Sequence, residues 1–161
     1  MAQKILLLSL SGTYGTIIGK IVAEKLGQGF LNVDDQIVKM LSKLQPVPAK
    51  QGINFLKESE KRAISKCLET QAGVLCVSYG LFIHNRQFFQ NCKKVYLRLK
   101  NETLAEFNDD DFLVNNLAFL EHDKVLLDAD HVIEANVISP QKTASELIKK
   151  IRTNSKKMSI L

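Results

Sequence analysis

The residues with the clearest chemical potential lie between an apolar run, Lys4 to Leu10, and a helical pattern from Thr16 to Leu26. The junction reads Ser9-Leu10-Ser11-Gly12-Thr13-Tyr14-Gly15-Thr16. A strand, a loop with glycines and then a helix form the setting in which proteins bind phosphate. Loop amides and the helix dipole both favour an anion there. Gly12, Thr13, Tyr14, Gly15 and Thr16 are therefore the candidate phosphate- or nucleotide-binding residues. The pattern G-x-x-x-x-G-K-[ST] would demand glycine at 9 and 14 and lysine at 15. Only the terminal hydroxyl, Thr16, is in place. On these residues alone a plain strand-to-helix turn is the simpler reading.

Other constellations are weaker. His84, His122 and His131 lack the spacing of metal ligands, and surface or hydrogen-bonded histidines account for them. Asp109-Asp110-Asp111 reads as a solvated acidic turn. The three cysteines, Cys67, Cys76 and Cys92, are an odd count without a C-x-x-C pair, which fits a reducing compartment. Cys76 sits in an apolar run as a small core residue. No window approaches the ~20 apolar residues of a membrane-spanning helix. The expectation is a cytoplasmic protein.

The elements that must hold these residues follow from composition and pattern. A chain of 161 residues, 45% apolar and 24% charged, has the size and balance of one ordered globular domain. Short apolar runs alternate with helical stretches, as in βα units around a parallel sheet. Five strands are predicted, at Lys4–Leu10, Phe30–Val33, Val74–Tyr79, Lys94–Leu99 and His131–Glu134. Helices are predicted over Thr16–Leu26, Asp34–Leu44, Asn54–Thr70, around Arg86–Asn91, over Asn101–Phe107 and Leu113–Glu121, and over Ser139–Ile151. Gly27 and Gly29 stop the first, Pro46 and Pro48 bar continuation of the second, and Ser139-Pro140 opens the last. The domain is predicted to span 1–152, followed by a basic tail over 153–161.

Charge is unevenly placed. The net charge is +5, and residues 142–161 carry all of it, with six basic groups and one acid. The remaining body is balanced, which argues against a face built to grip nucleic acid.

Similarity continues past the loop. Ile18-Gly19-Lys20, Ala23-Glu24-Lys25-Leu26-Gly27 and Phe30-Leu31-Asn32-Val33-Asp34-Asp35-Gln36-Ile37 resemble the I-G-R, A-x-x-L-G and F-x-D-x-D-x-x-I segments of the shikimate kinases. Val74 to Gly80 lies where that family has V-I-A-T-G-G-G, Val95-Tyr96-Leu97 is similar to its V-x-Y-L strand, and Ala129 to Ile133 to its A-D-x-V-I. The resemblance covers about residues 4–152. It implies a three-layer α/β/α P-loop kinase fold with a five-stranded parallel sheet. It also implies ATP and Mg2+ as cofactors and phosphorylation of shikimate as the activity. The loop with its following helix also resembles cytidylate-kinase-like proteins.

Carried over by position, the family's roles fall unevenly. Its loop lysine, which counters charge growing on the transferring phosphate, corresponds to Gly15. Thr16 and Asn32 stand at the metal positions, Asn32 replacing an acid. Asp34 stands where the family binds the accepting hydroxyl and supplies its base; capping of the following helix is an equal alternative. Gly80 is what remains of a glycine triplet at the substrate, with Tyr79 crowding it. Leu56 occupies an arginine position beside Phe55, Glu121 another, and the lid, Phe107–Phe112, carries three acids and no base. The reading is a shikimate kinase-like protein with a degenerate loop, impaired or inactive in phosphoryl transfer and serving as a binding or regulatory module. The alternative is an active small-molecule kinase with a non-standard site. A small-molecule or nucleotide ligand is the expected partner; the sequence names no protein partner.

Overall fold

The computed structural model describes residues 2–9, 12–43, 52–99, 129–136 and 138–158. The strands are β1 (Ile5–Ser9), β2 (Gly29–Asn32), β3 (Ala72–Ser78), β4 (Lys93–Leu99) and β5 (His131–Ala135). The helices are α1 (Gly12–Leu26), α2 (Val33–Ser42), α3 (Gly52–Glu69), α4 (Tyr79–His84) and α5 (Pro140–Met158), with a 3-10 turn at Arg86–Phe89. All four strand pairings are parallel, in the order β2-β3-β1-β4-β5.

β1 lies at the centre because all five of its residues are buried, as a strand covered on both faces requires. Its alternation divides the core. Leu6 and Leu8 face a cluster with Val33, Ile37, Ile64, Phe82 and Phe89, beneath α2, α3 and α4. Ile5 and Leu7 face the opposite cluster with Ile18, Val22, Ile133 and Leu147, beneath α1 and α5. The three-layer α/β/α architecture follows from this two-sided burial.

Several boundaries differ from the sequence pattern, each for a physical reason. α1 starts at Gly12 rather than Thr16. Tyr14, Ile18 and Val22 are all buried at four-residue spacing, so the tyrosine extends the apolar stripe upstream. At its other end Gly27 adopts φ +63°, and the amides of Gly27 and Gln28 return to the carbonyls of Glu24 and Ala23. That is a Schellman cap, and it favours glycine at this position. Tyr79 begins α4 instead of ending β3, with its ring in the same cluster as Phe82. α5 continues to Met158, so residues 153–158 extend the helix rather than begin a tail. No glycine or proline follows Pro140 to stop it. The helices expected over Asn101–Phe107 and Leu113–Glu121, and the acidic turn between them, lie outside the described residues.

The three cysteines are free and buried. Among the described residues no helix is long and apolar enough to cross a membrane.

Candidate functional site

In open α/β sheets ligands bind beyond the carboxyl ends of the strands. Here those ends bring Ser9 of β1, Asn32 of β2 and Ser78 of β3 to one side of the sheet, with the first turn of α1 above them. The amides opening a helix have no partner within it, so the turn at Gly12, Thr13 and Tyr14 turns backbone donors toward an anion.

Below that turn Gly15 is buried against Ser9. A Cβ added at Gly15 would lie 2.5 Å from the Ser9 hydroxyl oxygen and 3.3 Å from its Cβ. The buried Ser9 hydroxyl would have to rotate away, and its Cβ would still be tightly packed against the added atom. The serine at 9 and the glycine at 15 are therefore a matched pair. In the register of the phosphate-loop pattern they exchange places: the glycine position carries the side chain and the lysine position carries none.

Thr16, one residue on, faces β2. The Asn32 side-chain amide donates to the Thr16 hydroxyl at 2.8 Å, and the Asn32 side-chain oxygen accepts from the backbone amide of Asp35 at 3.1 Å. Asn32 is thus the N-cap of α2. Asp34, weighed above as that cap, sits inside the first turn instead. Its carboxylate crosses to β3 and accepts the backbone amide of Ser78 at 2.8 Å and its hydroxyl at 2.5 Å. The Thr16 hydroxyl also lies 3.8 Å from the Cys76 sulfur. Burial, reinforced by the charges of Asp34 and Asp35, pushes the Cys76 thiol up to about 12, with the Thr16 contact opposing it. Cys76 remains an inert core thiol.

Tyr14 leaves this cluster. Its hydroxyl donates to the Asn136 carbonyl at 3.1 Å and lies 3.4 Å from the Thr143 hydroxyl, tying α1 to the β5–α5 connection. Burial raises its phenol pKa above the ordinary 10.0. The side chain is committed to the α1–α5 layer, and does not fold over the strand ends. Gly80 is exposed, and a Cβ there would meet nothing within 4 Å. Phe55 and Leu56 are on α3, with Leu56 41% exposed. The lid positions and Glu121 lie outside the described residues. Ser78 and Asn136 carried no signal in the sequence reading.

Comparisons with known proteins place the chain in a family. Residues 12–152 match the family model described as shikimate kinase. The chain belongs to the shikimate kinase family. The shikimate kinase of Persephonella marina is 27% identical over 163 residues, covering 93% of this chain and 99% of the relative. That of Bacillus pumilus is 28% identical over 137 residues, covering 82% and 72%. Among solved structures, the shikimate kinase of Acinetobacter baumannii in complex with shikimate superposes with a TM-score of 0.71 at 24% identity, covering 96% of this chain and 95% of that one. The shikimate kinase of Bacteroides thetaiotaomicron gives 0.70 at 18% identity, covering 93% and 98%. The structures share the fold.

The Mg2+ that shikimate kinase membership implies does not fit the residues at its expected place. A hard cation needs oxygen donors, and charged ones hold it best. Here the Asn32 oxygen is occupied by the α2 cap and its N–H points at the Thr16 oxygen. Among the described residues no group of three or more His, Cys, Asp or Glu side chains could hold a metal ion.

Proposed function

We propose that this member of the shikimate kinase family is impaired or inactive in transferring phosphate from ATP to shikimate and acts as a binding or regulatory module. The reading rests on one observation above all: the Ser9 hydroxyl fills the space where any side chain at position 15 would begin. A preorganised cation at that point stabilises the charge of the transferring phosphate, and losing one such group costs on the order of 10²–10³ in rate. Two further features support it. The Thr16–Asn32 pair satisfies itself instead of presenting oxygens to a metal, and Asp34 spends both carboxylate oxygens on Ser78. The amides of the first turn of α1 could hold an anion, which is what a binding module with this fold would use.

The proximity of Thr16, Asn32 and Asp34 at the strand ends favours the second reading, an active small-molecule kinase with a non-standard site. One pair of measurements separates the two. Calorimetric titration of the full chain with Mg·ATP is expected to give weak binding or none, and ADP release with shikimate is expected to stay at background. Turnover with shikimate above background overturns the proposal.

A further inference from the structure

The basic closing segment takes no part in the site described above, yet its helical portion is built into the fold. α1 and α5 pack side by side beneath the same face of the sheet. Between the last turn of α1 and α5 lies a groove of about 470 Å³, lined by Lys25, Ser145, Ile148, Lys149, Arg152 and Thr153. The five α5 residues recur at the three- and four-residue spacing of a single helix face. Lys25 is about 14 Å along the α1 axis from Thr16, at the end of the helix away from the strand termini.

The groove is unusual in its charge. Among the described residues three cations line it and no carboxylate does. Among the described residues neither Lys25, Lys149 nor Arg152 has an acid within ion-pair distance. Helix ends do attract cations, but a helix C-terminus carries only about half a negative charge. The end of α1 is moreover capped by the amides of Gly27 and Gln28, and α5 runs on to Met158, more than a turn past Arg152. Among the described residues Lys25 and Arg152 thus face the groove with no carboxylate to offset them. The adjoining groove along α5 shares Lys149 and Thr153 with this one but also holds Glu134 and Glu146, and its Lys150 donates to the Val132 carbonyl; Lys25 and Arg152 line only the carboxylate-free side.

We propose that the Lys25–Lys149–Arg152 groove binds a small anion carrying two or more phosphate groups, at a site separate from the strand-end cluster. Arg152 supplies a planar fork suited to phosphate oxygens, and Lys25 and Lys149 supply point charges. Ser145 adds a hydroxyl donor, whereas the Thr153 hydroxyl is already given to the Lys149 carbonyl. Among the described residues the lining has no aromatic side chain to stack a base, and the groove is a single concavity, so a compact polyphosphate fits it better than a nucleic acid strand.

Isothermal titration of the full chain with sodium tripolyphosphate tests this. The expected result is saturable binding that weakens as salt is raised and falls roughly tenfold or more in the Lys149→Gln/Arg152→Gln double variant. Both residues are exposed, and an unchanged melting temperature verifies that the variant is folded. Binding is expected to survive Thr16→Val, which alters only the strand-end cluster. Absence of binding, equal affinity in the double variant, or equal affinity for inorganic phosphate overturns the proposal. So does loss of binding in Thr16→Val, which would locate the anion at the start of α1, and so does tighter binding of duplex DNA than of tripolyphosphate.

Discussion

Asp34 and Ser78 are joined twice, the carboxylate of one accepting both the backbone amide and the hydroxyl of the other across 44 residues of sequence. The pair fastens the start of α2 to the end of β3 and fixes the point where β3 gives way to α4. Hydrogen bonds to a charged group contribute about 1.5–3 kcal/mol, and a partner left unsatisfied costs more. Asp34→Ala is expected to lower unfolding free energy by that amount in urea titrations, and Ser78→Ala by a smaller one, since it leaves the amide bond in place. An Asp34→Ala variant as stable as the parent would refute the structural role.

The Ser9–Gly15 pair makes an asymmetric prediction. Gly15→Lys alone must displace a buried hydroxyl, and overpacking of that kind costs ~1–3 kcal/mol. Adding Ser9→Gly is expected to restore the melting temperature. Neither variant is expected to gain ATP turnover with shikimate. If Gly15→Lys melts with the parent, Ser9 does not block position 15.

A second close approach holds α1 against β2. A Cβ at Gly19 would run into the Phe30 ring. Alanine normally improves a helix over glycine by about 1 kcal/mol. Here Gly19→Ala is expected to destabilise by ~1–3 kcal/mol, because the ring has to move. Phe30→Leu in the same chain should recover part of the loss, a coupling that a double-mutant cycle measures. Additive losses would mean the two residues do not meet.

His131, at the start of β5, is buried with its Nε2 lacking a partner among the described residues. Burial first, then the charges of Lys93 and Lys150, hold its pKa below the ordinary 6.5, with Asp130 opposing them. The folded state thus binds the proton less readily than the unfolded chain. The resulting stability is fully present above 6.5 and is lost as pH falls from there through the folded pKa. Melting temperature is therefore expected to drop between neutral and mildly acid pH, and His131→Gln should flatten that drop. An identical pH profile in the variant would rule the histidine out as its source.

Much of the architecture was legible because it is local. β1 announces itself by uninterrupted burial, and Gly27 by its place after Leu26. The family was legible for the same reason, since its segments lie along a contiguous stretch. What escaped the sequence was set by distance. Tyr14 reads as a bulky residue in a loop until Ile18 and Val22 are seen to continue its stripe into the α1–α5 layer. Asp34 reads as a cap by its neighbours, but Asn32 takes the cap and Asp34 finds Ser78, a partner no local pattern could name. Ser9 and Gly15 each look like a defect when taken singly, and only their contact shows that they answer one another.

The strand order has a consequence for how the chain acquires its shape. β1 pairs with no neighbour in sequence: Ile5 lies opposite Val74 on one side and Lys93 on the other. While the polypeptide is being synthesised, its most apolar strand must wait for those residues to emerge before it gains a hydrogen-bonded partner. Closing loops of that length delays assembly, because their entropy is lost before the contacts repay it. The segment at the heart of the finished molecule is thus the one left longest without shelter on the ribosome.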